Sequence, residues 1–174
     1  PGRDWNVATG MVIEGKAGFQ IMGDWAKGEF TAAGKVPGVD YYCAPTPSNN
    51  GYLYNVDSFI FYKTSDPEKQ EGQKLLAKLM MGKNFQKVFN LYKGSIPARL
   101  DVSMDEFDKC AKTSNSDIKT AGASGGLVPS FAHGMAQGNT MKAALQDVIT
   151  EHFNSDMSSV DAANALADSV LDNM

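Results

Sequence analysis

The spacing of apolar residues along the chain changes character near residue 63. Before it, apolar runs are short and separated by turn residues; after it they return at helical intervals. Residues 17–22 form one short apolar run, ended by Gly23 and Asp24. Residues 39–44 form another, ended by the breaker cluster at 45–51, which is rich in Pro, Asn and Gly. Both predict strands. Residues 52–62 are dominated by Tyr, Val, Phe and Ile and predict a third β segment, with Asn55, Asp57 and Ser58 as polar groups inside it. Helices follow. Asp66 and Pro67 read as an N-cap and a first helical residue, and Leu75, Leu76, Leu79 and Met80 make one face. Gly82 stops that helix. Asn84 is placed to cap the next, with Phe85, Val88, Phe89 and Tyr92 on one side and Gly94 at its end. A capping box at residues 103–106 predicts a further helix start there, and residues 122–126 predict a loop.

Two more helices close the pattern. One runs from about Thr140 with Met141, Ala144, Leu145, Val148 and Ile149 at helical spacing. The other starts at Ser158 or Ser159 and carries Val160, Ala163, Leu166, Ala167, Val170 and Leu171. Both are amphipathic and predict packing against the body, with their Leu and Met stripes as core.

Composition narrows the function classes. The chain has 174 residues, 43% hydrophobic and 21% charged, which suits one globular domain rather than disorder. Its net charge of −4 argues against a nucleic-acid partner, which demands clustered Lys and Arg. No apolar run approaches the roughly 20 residues of a membrane span. No signal peptide is visible at Pro1. Cys43 and Cys110 form no CxxC, so a zinc or redox motif is absent; their spacing alone fits a disulfide and two buried thiols equally. GxSxG, P-loop, GxGxxG and HExxH patterns are absent, and two histidines offer no triad, so nothing calls for a catalytic residue, a metal or a cofactor.

Four residues stand out: Trp25 after the first strand, Asp57 within the β-rich run, Lys93 at a helix end, and His133 in a Pro- and Gly-bounded turn. Each has an ordinary structural use: capping a core, satisfying amides, neutralising a helix C-terminus, or filling a turn. Taken together they suit a sugar. An indole matches the apolar C–H face of a pyranose, a carboxylate accepts from neighbouring hydroxyls, and a Lys and a His add polar contacts.

The chain resembles the family-1 extracellular solute-binding proteins that feed sugar ABC transporters. The resemblance is carried by the block from Gly15 to Ala26 with its Gly23-Asp24-Trp25 core, by Val56-Asp57-Ser58-Phe59, by the block from Lys93 to Arg99, and by the block from Val128 to Gly134. It is nearest the periplasmic glucose-binding branch; maltose-binding proteins look more distant. It implies an α/β, periplasmic-binding-protein-like (type II) two-lobed fold, of which this chain is a C-terminal part rich in helices with a few strands. Residues 1–55 would lie in the C-terminal lobe, 56–101 would return to the N-terminal lobe, and 102–174 would supply C-terminal-lobe helices. The resemblance assigns ring stacking to Trp25 and hydroxyl contacts to Asp57, Lys93 and His133. It implies a non-catalytic periplasmic protein that binds a monosaccharide, glucose first. Its partners would be a transporter permease and the N-terminal portion of the same protein. A periplasmic origin also favours a Cys43–Cys110 disulfide. The competing readings are a carbohydrate-active hydrolase using paired carboxylates and a structural fragment that binds nothing.

Overall fold

The computed structural model describes residues 4–47 and 51–174, so residues 48–50 of the breaker cluster lie outside it. Among the described residues the order is α1 (Trp5–Ile13), a one-turn 3-10 helix (Asp24–Ala26) leading into α2 (Lys27–Ala32), β1 (Tyr52–Tyr54), α3 (Pro67–Met80) and α4 (Lys83–Lys93). Then come α5 (Lys109–Ser124), β2 (Leu127–Pro129), α6 (Asn139–Asn154) and α7 (Ser159–Asp172). These elements fall into two units, one from Pro1–Asn50 and Ser58–Gly125, the other from Gly51–Asp57 and Gly126–Met174.

In the first unit, neither early strand forms. Thr9, fully buried on α1, donates through Oγ1 to Gln20 Oε1 at 2.8 Å, and Gln20 Nε2 donates to the Trp5 carbonyl at 3.1 Å. Gln20 is thereby strapped to α1, residues 17–18 bend and residues 19–22 form no strand, with Phe19 and Ile21 exposed and, among the described residues, no strand pairing with this stretch. The 39–44 run likewise forms no strand: residues 38–40 turn, and Tyr41 makes only an isolated bridge to Pro37. Gly38, at φ +82°, donates to the Tyr41 carbonyl at 2.7 Å, and Val36 N–H donates to Asp40 Oδ2 at 2.7 Å. The Tyr41 ring packs on Phe30 of α2, centroids 4.2 Å apart.

The helical expectations fare better, with shifted ends. Asp66 caps α3 by accepting from the amides of Glu68 and Lys69 at 3.0 and 3.3 Å, with Pro67 as first helical residue. Gly82, not Asn84, is the N-cap of α4, and Gly94 closes it at φ +89°. The third helix begins at Lys109 with Asp108 as cap. Ser103 instead folds onto its own turn, its hydroxyl 2.7 Å from Asp105 Oδ2. That helix runs to Ser124, so most of the predicted 122–126 loop is helical. Val102, Phe107 and Ala111 form the core of this unit, with Leu91, Ile96 and Met104 packed around them. The Cys43–Cys110 disulfide, Cα–Cα 5.7 Å, ties the turn after α2 to α5.

The apolar faces of α3 and α4 do not enter that core. Leu75, Leu76 and Leu79 are exposed, as are Val88, Phe89 and Tyr92. The buried positions of α4 are polar. Gln86 donates to the Met80 carbonyl at 2.9 Å and accepts from Ala98 N–H at 3.1 Å, and Asn90 donates to the Gln86 carbonyl at 2.7 Å. A groove of about 500 Å³ opens between the two helices, lined by Leu75, Leu79, Phe85 and Val88.

In the second unit β1 and β2 pair in parallel, with Tyr52 opposite Leu127, Leu53 opposite Val128 and Tyr54 opposite Pro129. Only the first three residues of the predicted 52–62 β segment pair. The pairing closes with Ser130 N–H donating to the Tyr54 carbonyl at 2.8 Å, after which the partner chain enters the turn at residues 131–134. α6 and α7 form where the spacing predicts helices and pack on each other, but their stripes are not core: Ile149, Val160 and Leu171 are exposed, because each helix covers only the side facing its neighbour. Ser158 caps α7 by accepting from Asp161 N–H at 3.1 Å, His152 Nδ1 lies 2.9 Å from the Met157 carbonyl in the connection, and Met141 and Ala162 are buried.

Candidate functional site

The four residues singled out above divide into two pairs, one in each unit. Trp25 and Lys93 belong to the first. Trp25 sits in the one-turn helix, and its six-membered ring lies where a side chain on Gly23 would project. Gly23 has φ −69° and ψ 164°, open to any residue, so glycine is needed there for space and not for backbone freedom. Lys93 ends α4, with its ammonium 5.8 Å from the Phe89 ring centroid.

Two glycines bring these segments together. A Cβ on Gly28 would lie 2.8 Å from the Lys93 carbonyl oxygen, and one on Gly94 would lie 2.5 Å from Gly28 N. The backbones of α2 and of the turn after α4 therefore approach closer than any side chain permits. Asp24 spans the same gap: its Oδ2 accepts from Ile96 N–H at 2.8 Å. Burial pushes the Asp24 carboxyl above the usual range, against the pull of that N–H and of Lys27 and Lys93. Lys27 is buried and donates to Asp108 Oδ2 at 2.7 Å. Burial alone would raise the Asp108 carboxyl. The hydrogen bonds from Lys27 and from the α5 amides outweigh burial and hold it below the ordinary value.

Asp57 and His133 belong to the second unit. Both follow the C-terminal ends of adjacent parallel strands, the edge where open α/β sheets place their ligands. Asp57 is exposed and Oδ1 accepts from Asn55 Nδ2 at 3.2 Å. His133 is exposed in the turn after β2, with Nδ1 2.6 Å from Oγ of Ser130, which is 2% exposed. Ser130 N–H donates to the Tyr54 carbonyl at 2.8 Å, so the turn carrying His133 is fixed to the end of β1.

Asp24, Lys27, Gly28 and Asp108 carry no role that their sequence neighbourhoods reveal. In sequence Asp24 marks only the end of an apolar run, and its partner in space, Ile96, lies 72 residues along the chain. Ser130 carries a local signal, a hydroxyl one turn ahead of a histidine. Among the described residues no cluster of His, Cys, Asp and Glu is fit to hold a metal ion, and no helix is long and apolar enough to cross a membrane.

No protein-family model matches the chain. It is 47% identical over 170 residues to a probable sugar-binding periplasmic protein of Brucella suis, an alignment covering 97% of this chain and 40% of the relative. It is 45% identical over 170 residues to a protein of the same description from Rhizobium meliloti, covering 97% of this chain and 41% of that one. An uncharacterized ABC transporter extracellular-binding protein of Pyrococcus horikoshii is 34% identical over 86% of this chain and 33% of its own length. Over almost its whole length the chain is thus similar to probable sugar-binding periplasmic proteins, and it spans about two fifths of the length of these relatives.

Proposed function

We propose that this chain is part of the substrate-binding component of a sugar ABC transporter, a non-catalytic periplasmic protein that captures a monosaccharide, with glucose as its first candidate. The observation that carries this reading is the 47% identity to a probable sugar-binding periplasmic protein over 97% of the chain. In this reading the protein is two-lobed. The sugar sits between the lobes, which close on it as on a hinge. The Trp25 ring stacks on the pyranose, Asp57 accepts from two hydroxyls, and Lys93 and His133 complete the polar contacts. The rest of the longer protein supplies the opposing wall of the cleft and, with it, the surface that docks on the permease.

The support from geometry is of two kinds. Trp25 and Lys93 are held on segments that touch through Gly28 and Gly94. Asp57 and His133 follow the ends of paired parallel strands. Calorimetric titration with glucose, with galactose and maltose as comparisons, tests the reading. It is run on this chain and on the full-length protein that contains it. Saturable heat that Trp25→Ala abolishes is the expected result. A flat trace with the full-length protein, or unchanged glucose affinity in Trp25→Ala, overturns it.

A further inference from the structure

We infer that Gly23 and Asp24 are positioning residues that set the orientation of the Trp25 ring and its spacing from the Lys93 turn. The inference rests on the reading of Trp25 and Lys93 as sugar contacts and adds to it the device that aligns them. Gly23 acts by being empty. The indole occupies the volume a Cβ would take at position 23, so the ring is seated against the backbone two residues earlier. Asp24 acts as a tether. Its Oδ2 takes the Ile96 N–H at 2.8 Å across 72 residues of sequence, and Ile96 lies in the turn that follows Lys93. Asp24 sits between Gly23 and Trp25 in sequence, so one carboxylate fixes both the ring's seat and its distance to the α4 turn.

The surroundings give the tether its rigidity. Gly28 and Gly94 pack backbone on backbone immediately beside it, and Lys27, buried, is locked to Asp108. Ile96 packs against the core of Val102, Phe107 and Ala111, so the donor of this bond is attached to the packed centre of the unit. A sugar that stacks on Trp25 while bonding Lys93 meets a preformed spacing and spends none of its binding energy ordering it.

The two residues predict different failures. Ala at position 23 is allowed by the backbone at φ −69°, so Gly23→Ala keeps the fold and displaces only the ring. Asp24→Ala removes the acceptor and frees the turn. Asp24→Asn keeps an acceptor oxygen and loses only charge.

The experiment reads Trp25 without sugar. With Trp5→Phe as background, Trp25 is the single tryptophan of the chain. Its anisotropy and acrylamide quenching are measured together with the Ile96 amide proton shift, and far-UV circular dichroism reports helix content. Expected results are lower anisotropy and stronger quenching in Gly23→Ala and Asp24→Ala, an upfield Ile96 amide in Asp24→Ala, and near-normal values in Asp24→Asn. Unchanged Trp25 signals in Gly23→Ala overturn the inference, as do equal losses in Asp24→Asn and Asp24→Ala. Should Asp24→Ala unfold, Gly23→Ala still decides.

A sugar arm on the full-length protein separates this inference from the reading beneath it. Glucose binding weakened about tenfold or more in Asp24→Ala and preserved in Asp24→Asn supports both. Binding that is present and unaltered in Asp24→Ala overturns the positioning role alone. No binding by the unmutated full-length protein overturns the sugar reading, while the sugar-free signals still tell whether Gly23 and Asp24 hold the ring.

Discussion

Two regions of the first unit obey opposite rules. Where α2 meets the end of α4, the backbones touch through Gly28 and Gly94, a buried Lys27 is paired with Asp108, and Asp24 is spent on a distant amide. On the other side of α4, a stripe of Leu, Val and Phe faces outward and opens a groove with α3. The first region is finished with this chain alone. The second has the composition of a core and the exposure of a surface. A helix pattern records which face a helix is built to bury, and burial itself needs the partner. The chain spans about two fifths of the length of the relatives it matches, and the α3–α4 face carries its apolar stripe exposed.

The finished region has the larger energies. Reducing Cys43–Cys110 releases a closure with a sequence separation of 67, which the chain-entropy model values at about 4 kcal/mol. Urea unfolding with and without reductant should show a loss of that order. A change below about 1 kcal/mol would mean that the turn after α2 is already held by Tyr41 on Phe30.

Next comes Asp108→Ala, which strands the buried Lys27 ammonium and removes the α5 cap together. A loss of about 3 kcal/mol is expected, at the lower end for a buried pair because Asp108 is partly exposed. Replacing both partners, Lys27→Met with Asp108→Leu, should recover much of it, because the stranded charge is gone. Failure of the double variant to recover any stability would place the whole cost in the lost cap.

The open face predicts little stability and much association. Leu79→Lys with Val88→Glu should leave unfolding within about 0.5 kcal/mol of the parent chain, since neither residue is buried. The same pair should abolish concentration-dependent self-association in sedimentation velocity. A parent chain that sediments as a monomer at every concentration would show that the exposed stripe recruits no second copy.

The contrast also explains what could be read in advance. α3, α6 and α7 were legible because their caps (Asp66 with Pro67, and Ser158) and their helical stripes are local properties of the sequence. Residues 17–22 and 39–44 misled because a strand is a property of two segments. Their apolar runs lack a partner, and Gln20 and Asp40 turn back on nearby backbone instead. α1 went unseen: its first turn holds no acidic residue, and no side chain caps it. Around the candidate site, Trp25, Lys93, Asp57 and His133 could be named from residue type and resemblance. The Asp24–Ile96 tether and the Lys27–Asp108 pair span 72 and 81 residues, beyond any local pattern.

Tyr41 marks the border of the finished region and gives the smallest effect. Among the described residues its hydroxyl is buried without a hydrogen-bond partner, and burial, with the Asp108 charge behind it, pushes its pKa up to about 12. The phenol ionises near 10 in an unfolded chain. The folded state therefore favours the protonated form. That contribution is complete below about pH 10 and is lost as the pH rises through about 12. Tyr41→Phe keeps the ring on Phe30 and removes the unpartnered hydroxyl, so its stability at neutral pH should equal or slightly exceed that of the parent. Its decline between pH 10 and 12 should be shallower by the share Tyr41 holds. Equal slopes in the two proteins would mean that the hydroxyl reaches water in solution. A neutral-pH loss in Tyr41→Phe would mean that it finds a partner there, and the border of the finished region would move outward by one residue.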